Sequence, residues 1–317
     1  MLAPNSLLLY ETLQARKQLT PLEKQRYEQV RKGFSGEKKL RNYINCSNLN
    51  NIIPIYDCLF SVDESEFQID CLLLTSDAIY LLEVKNYTGD YYMEDDLIHY
   101  LKTKTQISNP MMQIDRSEFL FKKLLREMDI EVALRSYIIF INENFMLYGA
   151  NALHPMIFSS QISRFLNKIN NNTRPLSEEI NQVAIKLSAR RLQQSTRARL
   201  PTYALSQMKK GVFCDHCLAP MYRYNKATAI CKSCQQVFPL EDIALLAIAQ
   251  YKLLFPHEKL TVNAIENWCG SFFSKGFIRK IFTKNFAVTA KRKATHYDFK
   301  DDQEHLKILT EKYDYKY

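Results

Sequence analysis

Asp70, Glu83 and Lys85 interrupt a stretch, residues 68–86, that is otherwise rich in Leu, Ile, Val and Tyr. Two apolar runs flank Thr75-Ser76-Asp77-Ala78, a pattern that predicts a β-hairpin with strands covered on both faces. Alternation along a strand puts Glu83 and Lys85 on one face with Ile79 and Leu81. A turn symmetric about Ser76 and Asp77 pairs Leu74 with Ile79 and sets Asp70 opposite Glu83. Directly opposed like charges, with Cβ atoms about 4.5–5.5 Å apart, destabilise a sheet, so a cation between the carboxylates is expected. Mg²⁺ suits such a place, because it takes oxygen ligands, keeps several waters and is held by one or two carboxylates plus substrate phosphate. Lys85 could orient an attacking water or offset charge building on a phosphate. It could equally neutralise Glu83 at a strand end, and spacing alone leaves both readings open.

A second constellation is Cys214-Asp215-His216-Cys217 with Cys231-Lys232-Ser233-Cys234. Two C-x-x-C knuckles supply the four thiolates of a tetrahedral Zn²⁺ site, and a site closed by four protein ligands stabilises a fold without opening a position for substrate. Cys214, Cys217, Cys231 and Cys234 are therefore the expected zinc ligands, and His216 is expected on the surface. Redox-active C-x-x-C chemistry is the alternative, against which the matched pair of knuckles argues. Tyr222-Arg223-Tyr224 and Thr228-Ala229-Ile230 supply two short strands between the knuckles, as in a zinc ribbon.

The central hairpin resembles the core of the nuclease-related domain (NERD) family. The resemblance lies in Gln68-Ile69-Asp70, Ile79-Tyr80, Glu83-Val84-Lys85-Asn86 and Gly89, with Gly33-Phe34-Ser35-Gly36-Glu37 upstream and Asn109-Pro110-Met111-Met112-Gln113 downstream. It covers residues 30–145 and departs from the nominal pattern in having Ile69 where a proline would precede Asp70. It implies a restriction-endonuclease-like fold and metal-dependent phosphodiester chemistry of the PD-(D/E)xK type. By that resemblance Asp70 and Glu83 bind Mg²⁺ (or Mn²⁺), with the Val84 carbonyl as a further ligand. Lys85 assists the attacking water or the developing charge, and Glu37 and Gln113 support the site. Glu37 also has a plainer reading, as an acid in a first helical turn that complements the helix dipole.

The elements that would position these residues follow from the patterning. Thr20-Pro21 opens a helix expected to run to Lys32, with residues 33–36 breaking it and Glu37 starting another. Residues 52–60 read as the first core strand, 91–101 as one or two short strands, and Asn109-Pro110 as the start of a helix carrying Gln113 in its first turns, where phosphate binds readily. Residues 137–141 read as a strand reached by a crossover, and helices are expected near 160–170 and 177–193. Arg190, Arg191, Arg197 and Arg199 precede Pro201, either as a phosphate-facing cluster or as the solvated end of a helix.

Beyond the ribbon, residues 240–255, 260–269 and 275–283 read as helices and 287–299 as a hairpin, a small winged-helix-like α+β module. Lys275, Arg279, Lys280, Lys284, Lys291, Arg292 and Lys293 would supply its nucleic-acid contacts, unless the module docks protein instead. The expected architecture is α/β: a restriction-endonuclease-like mixed-sheet core followed by a zinc ribbon and that module. The divisions are 1–32 (helical extension), 33–150 (nuclease-like domain), 151–200 (helical connector), 201–240 (ribbon) and 241–317 (basic module).

The whole chain, 317 residues with a formal net charge of +9, suits an acidic polymer as partner, though bulk charge does not separate nucleic acid from an anionic surface. No leader-like segment or spanning helix is read, and the scattered cysteines do not form a secreted disulfide framework. The expectation is a cytoplasmic nuclease acting on nucleic acid, DNA first, with no membrane partner. The alternative is a non-catalytic nucleic-acid-binding or scaffold protein that retains a nuclease fold.

Overall fold

The computed structural model describes residues 4–193, 195, 200–290, 295–301 and 303–314. They form two compact units, one of residues 32–199 and one that joins residues 1–31 to 200–317. The chain opens with α1 (Asn5–Arg16) and α2 (Pro21–Cys46). α2 is continuous, so the break expected at Gly33–Gly36 does not occur. Each interior glycine costs a helix about 1 kcal/mol against alanine, yet Gly36 lies where the helix runs close to the sheet. A Cβ there would stand 3.0 Å from the Asn86 Cβ and 3.3 Å from the Val84 Cγ1. The glycine allows a close approach; it does not end the helix.

The 32–199 unit is built on β1 (Ile53–Val62), β2 (Ser65–Leu74), β3 (Ala78–Lys85), β4 (Gly89–Glu94), β5 (Leu97–Tyr100), α3 (Pro110–Glu127), β6 (Ala133–Phe140), β7 (Phe145–Tyr148), β8 (Met156–Phe158), α4 (Ile162–Asn171) and α5 (Glu178–Arg190). Five strands make a mixed sheet in the order β1-β2-β3-β6-β8. β1, β2 and β3 are antiparallel, whereas β3, β6 and β8 run parallel, with α3 in the crossover that a parallel pair requires. One face buries Phe60, Leu72, Leu81 and Phe121 with residues of α3 and α5. The other buries Leu40, Leu82, Ile139 and Leu166 with residues of α2 and α4. Cover on both faces explains the nearly unbroken apolar wording of β2 and β3. A smaller sheet, β5-β4-β7, closes over Ile98, Phe140, Phe145 and Leu147.

In the second unit the ribbon strands are β9 (Met221–Arg223), β10 (Thr228–Cys231) and β11 (Val237–Pro239), an antiparallel sheet in the order β11-β10-β9. Then follow α6 (Leu240–Leu254), α7 (Val262–Trp268), α8 (Lys275–Asn285), the hairpin of β12 (Ala287–Ala290) and β13 (His296–Asp298), and α9 (Glu304–Asp314). A bridge between Leu260 and Tyr297 ties the segment before α7 to the hairpin. Helix, bridge, two helices and hairpin give the winged-helix-like order expected of this region. Lys291, Arg292 and Lys293, expected in the hairpin turn, lie outside the described residues, as do Arg197 and Arg199.

α1 belongs to the core of this unit. Leu7, Leu8, Tyr10, Leu13 and Arg16 are almost wholly buried. The Arg16 guanidinium lies 3.3 Å from the centroid of the Trp268 ring and donates to the carbonyls of Lys209 and Gly211. Burial brings its pKa down to about 9, against an opposing contribution from Cys269. Among the described residues, no helix is long and apolar enough to cross a membrane.

Candidate functional site

The register of the central hairpin places the carboxylates. Leu74 pairs with Ile79 and the ladder runs to Cys71 and Leu82. One step on, main-chain pairing gives way to a side chain: the Val84 N–H donates to the Asp70 Oδ2 at 2.7 Å. Asp70 thus sits beside Glu83 at the point where the two strands part. Burial holds its carboxyl well above the usual carboxylate range, and Glu83 and Glu37 add to the shift against the pull of the Val84 amide and Lys85.

Glu83 and Lys85 project from the same face of β3 and share an ion pair of 2.7 Å. Gln113 locks the pair from α3. Its Nε2 donates to Glu83 Oε1 at 2.6 Å and its Oε1 accepts from Lys85 Nζ at 2.7 Å. Gln113 is positioned by the start of its helix, where Asn109 caps the Met111 amide and Pro110 stands at the first helical position, a place where its missing N–H costs nothing. Burial alone would lower the Lys85 pKa, but the Glu83 carboxylate outweighs it and the net shift is upward.

Glu37 reaches the same neighbourhood from α2. Its pKa is raised to about 7 by burial and by the charges of Asp57 and Glu83. Asn86, next to Lys85, ties this helix to the sheet by donating to the Lys32 carbonyl at 2.9 Å while accepting from Asn142.

Asp57 was not anticipated from the sequence. In the β1–β2 register Tyr56 pairs with Cys71 and Cys58 with Ile69, which sets Asp57 across from Asp70. Its backbone is left-handed, φ +52, a conformation that costs a non-glycine residue energy and clusters at functional sites. Gln68 donates to its carboxylate at 2.9 Å, and Arg191 to its carbonyl. The signal was an acid inside the apolar run 53–62, the same kind of signal that drew attention to Asp70.

Glu83 and Asp70 therefore act on the Lys85 ammonium, while Glu37 feels the charges of Asp57 and Glu83, so that four acids share one neighbourhood. Such a donor set suits a hard divalent cation, whose oxygen ligands need not all come from protein. Among the described residues, however, the only group of three or more Cys, His, Asp or Glu with ligand atoms within 4.8 Å of one another is Cys214, Cys217, Cys231 and Cys234. Glu83 is turned to Lys85 and Gln113 instead.

The cysteine group is built by two matching knuckles. In each, the residue four after the first cysteine donates its N–H back to that cysteine's carbonyl: Leu218 to Cys214 and Gln235 to Cys231. Both turn residues are left-handed, at φ +61 and +60. The four thiols are free of disulfides, with sulfurs 3.6 Å apart for Cys214–Cys234 and 3.3 Å for Cys217–Cys231. The thiols shift in opposite directions: burial pushes Cys214 up to about 12, whereas at Cys231 the Cys234 amide, the Cys217 thiol and the Ser233 amide outweigh burial and bring it down to about 7. His216 is exposed and outside the group.

The basic candidates are less uniform. On α8, Lys275 pairs with Glu266 at 3.6 Å and Lys284 with Glu241, while Arg279 and Lys280 are exposed. Arg190 and Arg191 donate to the carbonyls of Ser61 and Asp57, so both help tie the end of α5 to β1.

Residues 32–141 match the family model described as the nuclease-related domain. No curated protein and no solved structure matches the chain. The chain thus carries a nuclease-related domain within a mixed α/β unit, alongside a four-cysteine cluster of ribbon form.

Proposed function

We propose that the 32–199 unit is a metal-dependent nuclease that hydrolyses phosphodiester bonds, in DNA before RNA, and that the second unit helps hold the nucleic acid. The observation that carries this reading is the Glu83–Lys85 ion pair beside the buried Asp70, with Glu37 near enough to feel the charges of Glu83 and Asp57, inside a segment that matches a nuclease-related domain. Asp70 and Glu83 would hold Mg²⁺ or Mn²⁺, with the Val84 carbonyl as a further ligand. When bound, such an ion polarises the scissile phosphate and makes water a nucleophile near neutral pH.

The chain's own groups have separate tasks. Lys85, with its pKa raised, stays an ammonium at neutral pH. It therefore offsets charge on the phosphoryl oxygens and does not accept the water's proton. Gln113 holds Lys85 and Glu83 in place. Glu37 and Asp57 keep the site short of positive charge until a cation arrives. The four cysteines would hold a structural Zn²⁺, a chemistry that suits a reducing, cytoplasmic setting.

Incubating the full chain with single-stranded DNA, duplex DNA and RNA, with and without Mg²⁺ or Mn²⁺, tests the reading. Cleavage should need the metal and fall by about 10²–10³-fold in Lys85→Ala, in line with the loss of one preorganised charge-stabilising donor. Unchanged cleavage in Lys85→Ala and Glu83→Gln would remove the assignment. For the cysteine group, metal analysis of Cys214→Ser should show the loss of one zinc per chain, and the ribbon should melt, because small metal-built folds do not stand without their ion.

A further inference from the structure

We infer that the outer face of the ribbon sheet is a stacking platform for single-stranded nucleic acid, built from Tyr222, Tyr224, Ile230 and Val237 and bordered by Lys226 and Lys232. The inference takes from the proposed nuclease only the class of ligand; the placement of the residues stands without it.

Alternation along β9 decides which side chains face out. Met221 is buried, and Arg223, although exposed, turns its guanidinium toward the rings of Phe272, Phe273 and Phe277 at 5.6–5.9 Å, so these two mark the side that meets the rest of the unit. Tyr222 has the opposite parity on β9 and is 45% exposed, and Tyr224, one residue past the strand, is 64% exposed. The register carries this face across the sheet, because Ile230 pairs with both Tyr222 and Val237, and Val237 is 48% exposed. Ala229, which pairs with Arg223 and Phe238, is fully buried. Tyr222 thus presents its ring from β9, and Tyr224 from the residue just past its end, where its N–H donates to the Thr228 carbonyl.

The surrounding charge names the ligand. No acidic residue occurs between Asp215 and Glu241, while Arg223, Lys226 and Lys232 do. The Lys232 ammonium lies 4.4 Å from the centre of the Tyr222 ring, so one cation sits directly at an aromatic surface. Exposed rings beside cations, with no acids among them, match the π-faces and phosphates of an unpaired strand. A duplex hides its base faces, and an acidic peptide would give the rings nothing to stack on. The competing surface on α8 is weaker, because Lys275 and Lys284 are already paired with acids.

Binding of the full chain to a fluorescein-labelled oligothymidylate, and to a labelled duplex, in buffer without Mg²⁺ tests this directly. Each ring lost should weaken oligothymidylate binding about tenfold, the scale of one stacked base, so Tyr222→Ala with Tyr224→Ala should lose about a hundredfold. Duplex binding should change much less, and Tyr222→Phe with Tyr224→Phe should bind as the parent does. Fluorescence of the single tryptophan, Trp268, which is buried in the same unit, reports that each variant is folded. Lys232→Glu, which keeps both rings, should also weaken oligothymidylate binding. Unchanged oligothymidylate affinity in the double alanine variant, or equal losses for oligothymidylate and duplex, would overturn the platform. Absence of oligothymidylate binding by the parent would overturn it too, and would point to a protein partner for this face. Metal-dependent cleavage is read separately, so failure here and failure of the nuclease reading are distinct results.

Discussion

Glu37 illustrates how the site is tuned at the scale of single residues. Its carboxyl titrates at about 7 where an unperturbed glutamate would titrate near 4.5, so the folded protein binds this proton more tightly than the unfolded chain does. Between those two values the unfolded state holds fewer protons, and stability falls as pH rises. Asp70 is shifted the same way and steepens the trend. Without divalent metal, the melting temperature of the 32–199 unit should therefore drop from about pH 5 to about pH 8. The part due to Glu37 is on the order of 3 kcal/mol. Glu37→Gln, which cannot ionise, should flatten the curve and leave the metal-free protein more stable at the upper end. Mg²⁺ should restore most stability there, because ligand carboxylates give up their protons to bind it. A profile equally steep in Glu37→Gln would show that the shift arises elsewhere. Lys85 bears on the same balance: as one partner of a largely buried ion pair, its removal costs metal-free stability as well as cleavage.

Whole elements bring these residues together, and here local propensity and packing disagree in an instructive way. The hairpin could be read residue by residue, because a period of two and a symmetric turn fix register before any tertiary contact is known. The continuity of α2 could not. Two glycines within four residues look like a helix end, and only the nearness of Asn86, Val84 and Ile141 to Gly36 shows why a helix would keep one there. Asp57 escaped for a related reason: nothing in its own strand tells that it stands across from Asp70. The two glycines should respond oppositely to the same change. Gly33 has nothing nearer than 4.0 Å to a new Cβ, so Gly33→Ala should be neutral or add up to about 1 kcal/mol. Gly36→Ala would bring its Cβ to 3.0 Å from that of Asn86. Overpacking of this kind costs about 1–3 kcal/mol, and it should push Glu37 away from Asp70 and reduce cleavage. Denaturant unfolding of the two variants, with rates measured in parallel, checks both signs; a stabilised and fully active Gly36→Ala would remove the close-approach argument.

On the scale of the molecule, the nuclease-like unit interrupts a second unit made from both ends of the chain. The sequence marked a boundary near Pro201, but not the partnership of α1, whose contacts lie far along the chain: Arg16 donates to a carbonyl 193 residues away. Burial of Leu7, Leu8, Leu9, Tyr10 and Leu13 contributes about 1.5–3 kcal/mol per side chain, together comparable with the whole stability of a typical domain, about 5–15 kcal/mol. Removing residues 1–20 should therefore unfold the C-terminal unit and expose Trp268 to solvent. The 32–199 unit carries its own cores, since every residue of its three hydrophobic clusters lies inside those limits. As an isolated fragment it should fold cooperatively and keep slow, metal-dependent cleavage, because Glu37, Asp57, Asp70, Glu83, Lys85 and Gln113 all remain. What it should lose is affinity and the salt dependence of affinity. Each phosphate contact to a single strand adds about 0.7 to the slope of log K against log salt. If the ribbon and α8 together make three or four contacts, the full chain should be steeper than the fragment by about 2–3. Binding curves for both proteins across a salt series, read alongside cleavage rates at saturating substrate, separate the two units' tasks. Equal slopes with equal affinities would mean that the second unit does not hold the substrate.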